Sequence, residues 1–94
     1  MQTVEINESL VITNVASSRT RFLEVLEQND GPLEFDLENV DDCDTSGVQL
    51  LLAVCKFAVE ENRKISFCNF SESIHRAFAN TGIENLNDFL TPEQ

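Results

Sequence analysis

Basic residues are scarce: 6 Lys and Arg stand against 17 Asp and Glu in 94 residues, a formal net charge of −11. A chain so acidic repels nucleic acid and anionic membrane, both of which need a basic patch. It suits a protein partner with a basic face. No apolar run approaches the roughly 18 residues that a transmembrane helix needs. Met1-Gln2-Thr3-Val4-Glu5 lacks the basic and apolar regions of a signal peptide. Membrane insertion is therefore not expected, and a cytoplasmic location is.

Metal-binding and phosphate-binding patterns are thin as well. The single histidine, His75, is in a different segment from Cys43, Cys55 and Cys68, and no CxxC pair occurs. Zinc is not expected from such spacing. Cys55 and Cys68 read as small buried hydrophobes. Cys43 adjoins a run of acids, which should raise its pKa and suppress thiolate reactivity. Gly31, Gly47 and Gly82 stand singly, so no glycine loop cradles a nucleotide phosphate. No cofactor is implied.

What remains is ordinary for a folded chain: 41% hydrophobic residues and a length that suits one small domain over residues 1–94. Val4 and Ile6, then Leu10 and Ile12, alternate on either side of Asn7-Glu8-Ser9, which reads as a β-hairpin. Residues 16–28 turn helical, with Phe22, Leu23 and Leu26 on one face. Asn14 or Ser17 could cap that helix. Asn29-Asp30-Gly31-Pro32 should end it, the glycine as a left-handed cap. A strand follows at residues 33–37.

The next helix, from Val48 to Val59, carries two apolar stripes. Val48, Leu51, Leu52, Cys55 and Val59 form one, which should pack on the sheet. Leu50, Val54 and Phe57 form a second on roughly the opposite side. That second stripe is either covered by a neighbouring helix or left open for docking. Residues 65–69 read as a further strand. Ser71, as N-cap, opens a helix with Ile74, Ala77 and Phe78 inward, closed at Asn80-Thr81-Gly82. His75 sits on its surface. Residues 83–90 read as a last short helix or irregular segment, and residues 91–94 should fray. The alternation implies an α/β fold: a small mixed sheet of about four strands, with helices mainly on one face.

Between the strand at 33–37 and the helix at 48–59 lie Glu38, Asp41, Asp42 and Asp44, then Thr45, Ser46 and Gly47. Thr45 or Ser46 can cap the helix. The same position favours a phosphate, because free backbone N–H groups and the helix dipole point there. Asp41, Asp42 and Asp44 would surround that phosphate with like charge, so modification should change partners sharply. Paired carboxylates can do acid–base work when burial separates their pKa values, but this loop should be exposed and has no histidine beside it. Enzyme activity is not expected. A divalent cation held by Asp36, Asp41 and Asp44 is conceivable; without EF-hand spacing, a solvated acidic loop is the better reading.

Asp44-Thr45-Ser46-Gly47, after an apolar strand ending in Asp36-Leu37 and before a long apolar helix, resembles the Asp-Ser-Ser/Thr-Gly pattern of STAS domains. The likeness runs over residues 33–86, and single-domain anti-sigma-factor antagonists are the nearest in pattern. The resemblance implies a small sheet with helices packed on it, and in family members usually a further strand near the C-terminus. Residues 84–89 suit a strand poorly.

It also implies a switch. In antagonist STAS domains a partner kinase, itself an anti-sigma factor, phosphorylates the hydroxyl directly after the Asp. That position is Thr45 here, with Ser46 beside it. The implied partner surface is Asp42, Asp44, Thr45, Ser46, Gly47 and Val48, extended along the helix by Leu50, Val54 and Phe57. Threonine at this position also resembles STAS subunits that bind the ATPase of a phospholipid-transport ABC system, where the residue serves docking. A constitutive adaptor of that kind, or one in a chemotaxis or signalling complex, is the alternative. The chain is expected to be a monomer or weak dimer.

Overall fold

A computed structural model describes residues 1–90. The fraying expected for residues 91–94 lies outside the described residues. The elements in order are β1 (Gln2–Glu5), α1 (Val15–Gln28), β2 (Leu33–Asp36), α2 (Thr45–Glu60), β3 (Ile65–Cys68) and α3 (Glu72–Thr81), followed by a 3-10 helix at Leu86–Leu90. The sheet has three strands in the order β1-β2-β3, and both pairs are parallel. The α/β class and the helix-covered sheet agree with the sequence reading; the expected four-strand mixed sheet is a three-strand parallel one among the described residues.

The difference lies at the N-terminus, where no hairpin forms. Val4 pairs with Phe35 in a parallel register, and Leu10 makes an isolated parallel bridge to Cys43. Backbone accounting explains this. The Ile6 N–H donates to the Asp36 carbonyl at 3.0 Å, while Leu10 donates to the Asp42 carbonyl at 2.8 Å and accepts from Asp44 N–H at 3.2 Å. Leu10 therefore spends its ladder groups on the loop before α2, not on β1. Ile6 and Leu10 are both fully buried. Asn7-Glu8-Ser9 also lacks the glycine that two-residue hairpins favour.

Alternation sorts the sheet into two faces. Leu33, Phe35, Ile65 and Phe67 are buried, whereas Glu34, Asp36, Ser66 and Cys68 are half-buried. Phe35 stands at the centre of the apolar face, its ring 5.0 Å from Phe22 of α1 and 5.7 Å from Phe67. Aromatic pairs at these separations add roughly 0.5–1.5 kcal/mol to the area they bury.

Both stripes of α2 are occupied. Val48, Leu51 and Cys55 are buried, with Leu52 and Val59 half-buried. Leu50 and Val54 are only 5% exposed. They share with Arg19, Leu23 and Leu26 the groove where α1 lies against α2. The second stripe is thus covered by a neighbouring helix, leaving Phe57 half-exposed at its end.

Helix ends were met in unexpected ways. Asn14 precedes α1 without a side-chain cap bond; its amide turns to the Ser9 carbonyl. Gly31 takes no left-handed conformation, and α1 runs out through an extended Asn29. Its terminal carbonyls are instead satisfied by the Arg63 guanidinium, which donates to Leu26 O at 2.6 Å and to Asn29 O. A cation at this end also suits the helix dipole. By contrast α3 follows its sequence signals. Ser71 Oγ accepts from Ile74 N–H at 3.3 Å, and Gly82 closes the helix at φ 79°.

The outer edge of β3 is closed by a side chain. Asn87, in the 3-10 helix, accepts from Phe67 N–H at 2.9 Å through Oδ1 and donates to Phe67 O at 3.0 Å through Nδ2. One amide thereby supplies both bonds that a neighbouring strand residue would make, and blunts an edge open to unwanted pairing.

Candidate functional site: the Asp-Thr-Ser-Gly loop

The loop from β2 to α2 is anchored at each stage. Leu37 and Val40 are buried, and Leu37 N–H donates to Cys68 O at 3.0 Å. Ser73 of α3 donates its hydroxyl to Val40 O at 2.7 Å. Asp36 is spent on structure: one carboxylate oxygen accepts from Glu38 N–H at 2.9 Å, the other from Asn69 Nδ2 at 3.1 Å. It is not a free ligand beside Asp41 and Asp44. Among the described residues no three His, Cys, Asp or Glu side chains are gathered for a metal.

Asp44 caps α2, not Thr45 or Ser46. Its Oδ1 accepts from Gly47 N–H at 3.1 Å, and its Oδ2 accepts from Ile12 N–H at 3.0 Å. Aspartate caps as well as serine does, and here the second oxygen adds a tertiary bond that a hydroxyl could not. These backbone donors, Ile12 foremost, hold the Asp44 carboxyl below its ordinary pKa.

Thr45 then falls at the first position of α2, exposed, with Ser46 half-buried after it. Gly47 and Val48 are buried. A Cβ on Gly47 would come within 2.1 Å of Leu10 O and 2.9 Å of Cys43 Sγ. The glycine is there because the start of α2 meets the Leu10 backbone, and it is not a surface contact. Of the residues singled out from the sequence, the structure brings together Asp42, Asp44, Thr45 and Ser46 at an accessible loop. It withdraws Gly47, Val48, Leu50 and Val54 into the interior.

Cys43 is half-buried beside this loop, its thiol pushed up to about 11 by burial first and by Asp44 and Asp42 second. The thiol is therefore protonated and a poor nucleophile at neutral pH. The Cys55 thiol is raised to about 12, chiefly by burial. His75 is exposed on α3.

The loop, its capping acid and its place between a parallel strand and α2 agree with one further finding: the family model for the STAS domain matches residues 2–93. The chain belongs to the STAS domain family. Membership makes it a regulatory, protein-binding module in general terms, and residues 2–93 leave little of the chain outside the domain. Among curated proteins none matches it significantly. No helix among the described residues is long and apolar enough to cross a membrane.

The sequence reading placed Asp44 on the partner surface but missed its capping role, and it missed the place of Ile12. Asp44 was grouped with the acids of the loop, although its place before two hydroxyls and a glycine is itself a cap signal. Ile12 was assigned to the second strand of a hairpin; it lies in no strand, is 66% exposed and is tied to Asp44. Nothing in the local sequence distinguishes it from a core isoleucine.

Proposed function

We propose that this STAS domain is a phosphorylation-switched binding protein of the anti-sigma-factor-antagonist type, without catalysis of its own. Unmodified, it docks on a histidine-kinase-like ATPase through residues 42–46 and the accessible start of α2, releasing what that ATPase otherwise holds. The observation that carries the reading is the division of labour at the helix start. Asp44 does the capping, and the adjacent Thr45 stands exposed with no such duty.

A phosphate on Thr45 adds about 1.5 to 2 negative charges. It arrives beside Asp41, Asp42 and Asp44, with the cap N–H of Gly47 already taken by Asp44. The favourable anion position at the helix start is thus partly filled, and the new charge faces the partner. Repulsion from Asp41, Asp42 and Asp44 within the loop reshapes it, and the bulk of the phosphate keeps the partner from closing on it. The burial of Leu50 and Val54 removes most of the apolar stripe on which a constitutive adaptor would draw.

The test combines the intact mass of the protein from its own cells, fragmentation across residues 41–52 and identification of co-purifying proteins. Phosphate on Thr45 with a kinase-like ATPase supports the switch. Thr45→Ala should bind that ATPase constitutively and Thr45→Glu at least about tenfold more weakly, because a longer side chain crowded by Asp41, Asp42 and Asp44 stands where the partner packs. Equal binding by the two variants, or an unmodified chain held by a transporter ATPase, would sink the proposal in favour of an adaptor.

A further inference from the structure

We infer that Ile12 and the acidic loop at residues 41–45 form one docking surface, fitted to a protein partner that offers an apolar socket rimmed by Lys or Arg. The inference rests on the reading that this loop meets a protein, and it specifies that partner's chemistry.

Met1, Ile12 and Phe89 are the large apolar side chains left exposed among the described residues. Isolated exposed apolar residues are ordinary; what sets Ile12 apart is how it is held. Its N–H is bound by Asp44 Oδ2 at 3.0 Å, and a turn bond joins Asn14 N–H to Val11 O at 2.8 Å around it. Two residues earlier, Leu10 is bonded to both Asp42 and Asp44. Ile12 is therefore fixed relative to Thr45 by backbone bonds on either side. A β-branched side chain on a fixed backbone has little freedom to lose on binding.

Charge selects the occupant. Asp41 and Asp42 are exposed, and Asp44 is held ionised by its backbone donors. Arg76 of α3 shares a hollow with Asp41 and Asp42, and Arg21 is paired with Glu8 at 3.3 Å. The loop still carries an excess of negative charge around an apolar knob. A second copy would bring two such loops together against a net charge of −11 on each chain. An anionic lipid surface would be repelled in the same way. A protein with an apolar pocket and a basic rim meets both features, the arrangement in which central apolar anchors dominate affinity and rim charges set rate and specificity.

The experiment uses the full chain and the protein that Thr45→Ala retains from an extract of its own cells, then purified. Ile12→Asp should weaken binding of that protein at least about tenfold, Ile12→Val by less than about threefold, as for an apolar anchor. Phe89→Asp should leave binding unchanged. Binding by the wild-type chain should fall as salt rises from about 50 to 500 mM. Thermal melts of each variant separate lost contacts from lost folding, because Ile12 is exposed and its replacement should leave the melt unchanged.

Wild-type affinity in Ile12→Asp, equal loss in Phe89→Asp, or a wild-type dimer that Ile12→Asp dissolves would each overturn the surface. If Thr45→Ala and Thr45→Glu bind alike while Ile12→Asp does not bind, the switch fails and the surface stands. If no protein is retained by the wild-type chain or by Thr45→Ala, both fail.

Discussion

The carboxylate of Asp44 joins two segments 32 positions apart: one oxygen caps α2 at Gly47, and the other holds the backbone N–H of Ile12 before α1. A single side chain thus fixes the start of α2 and the turn beside it. The sign of its pH dependence follows from its lowered pKa. A depressed folded-state value means the contribution is fully present above the ordinary value of 3.8 and is lost as pH falls through the folded one. Urea titrations at neutral and at acid pH should show the wild-type chain losing more stability on acidification than Asp44→Asn. Asp44→Ala should be less stable than Asp44→Asn at neutral pH, because the amide keeps one acceptor. Parallel acid profiles for wild type and Asp44→Asn would contradict this account.

Gly47 gives a steric prediction with a large effect. Alanine there would drive its Cβ to 2.1 Å from the Leu10 carbonyl oxygen, a backbone atom that cannot swing aside. Overpacking of this sort costs about 1–3 kcal/mol and more when backbone must shift. Gly47→Ala should lower the melting temperature by roughly 10 °C or more for a domain of this size. A melt within two or three degrees of wild type would show that the two segments part easily. Partner binding lost in this variant would report misfolding, not a missing contact.

The contrast between α3 and the N-terminal segment shows which kinds of information the sequence carries. Helix α3 was legible to its ends because Ser71 and Gly82 act on the backbone next to them. The apolar stripes of α2 were legible for the same reason, since periodicity is local. Ile6 and Leu10 also alternate like strand residues, and they are buried as strand residues would be. Alternation, however, names no partner, and theirs are Asp36, Asp42 and Asp44, not each other. The cap of α2 was ambiguous because aspartate, threonine and serine in a row all suit it; the choice is made by Ile12, which only the fold brings near. Arg63 at the end of α1 and Asn87 on β3 were invisible for that reason too.

Asn87 offers a test of the sheet edge. Its amide satisfies both backbone groups of Phe67, a residue only 3% exposed. Asn87→Ala leaves a largely buried donor and acceptor unpaired, costing about 1–3 kcal/mol each at worst. Asn87→Asp keeps the shape but sets a carboxylate oxygen against the Phe67 carbonyl, so it should be no better than alanine. Both variants should also self-associate more than wild type by light scattering, since an uncovered edge strand pairs readily. Wild-type stability in Asn87→Ala would mean that water replaces the amide without cost.

Ser18 predicts a gain. It is fully buried on α1, and its hydroxyl has no hydrogen-bond partner among the described residues. The carbonyl it would ordinarily use, that of Asn14, already accepts the Ser18 N–H at 3.0 Å and the Ser17 hydroxyl at 2.9 Å. The native chain therefore bears the desolvation of an unsatisfied hydroxyl, and serine is also the poorer helix former. Ser18→Ala removes the polar atom and leaves a space of about one oxygen. The net effect should be stabilisation of about 1 kcal/mol, read as an upward shift of roughly 4–8 °C in the melt. A loss of stability in Ser18→Ala would place a hydrogen-bonded water or a reoriented neighbour at this hydroxyl.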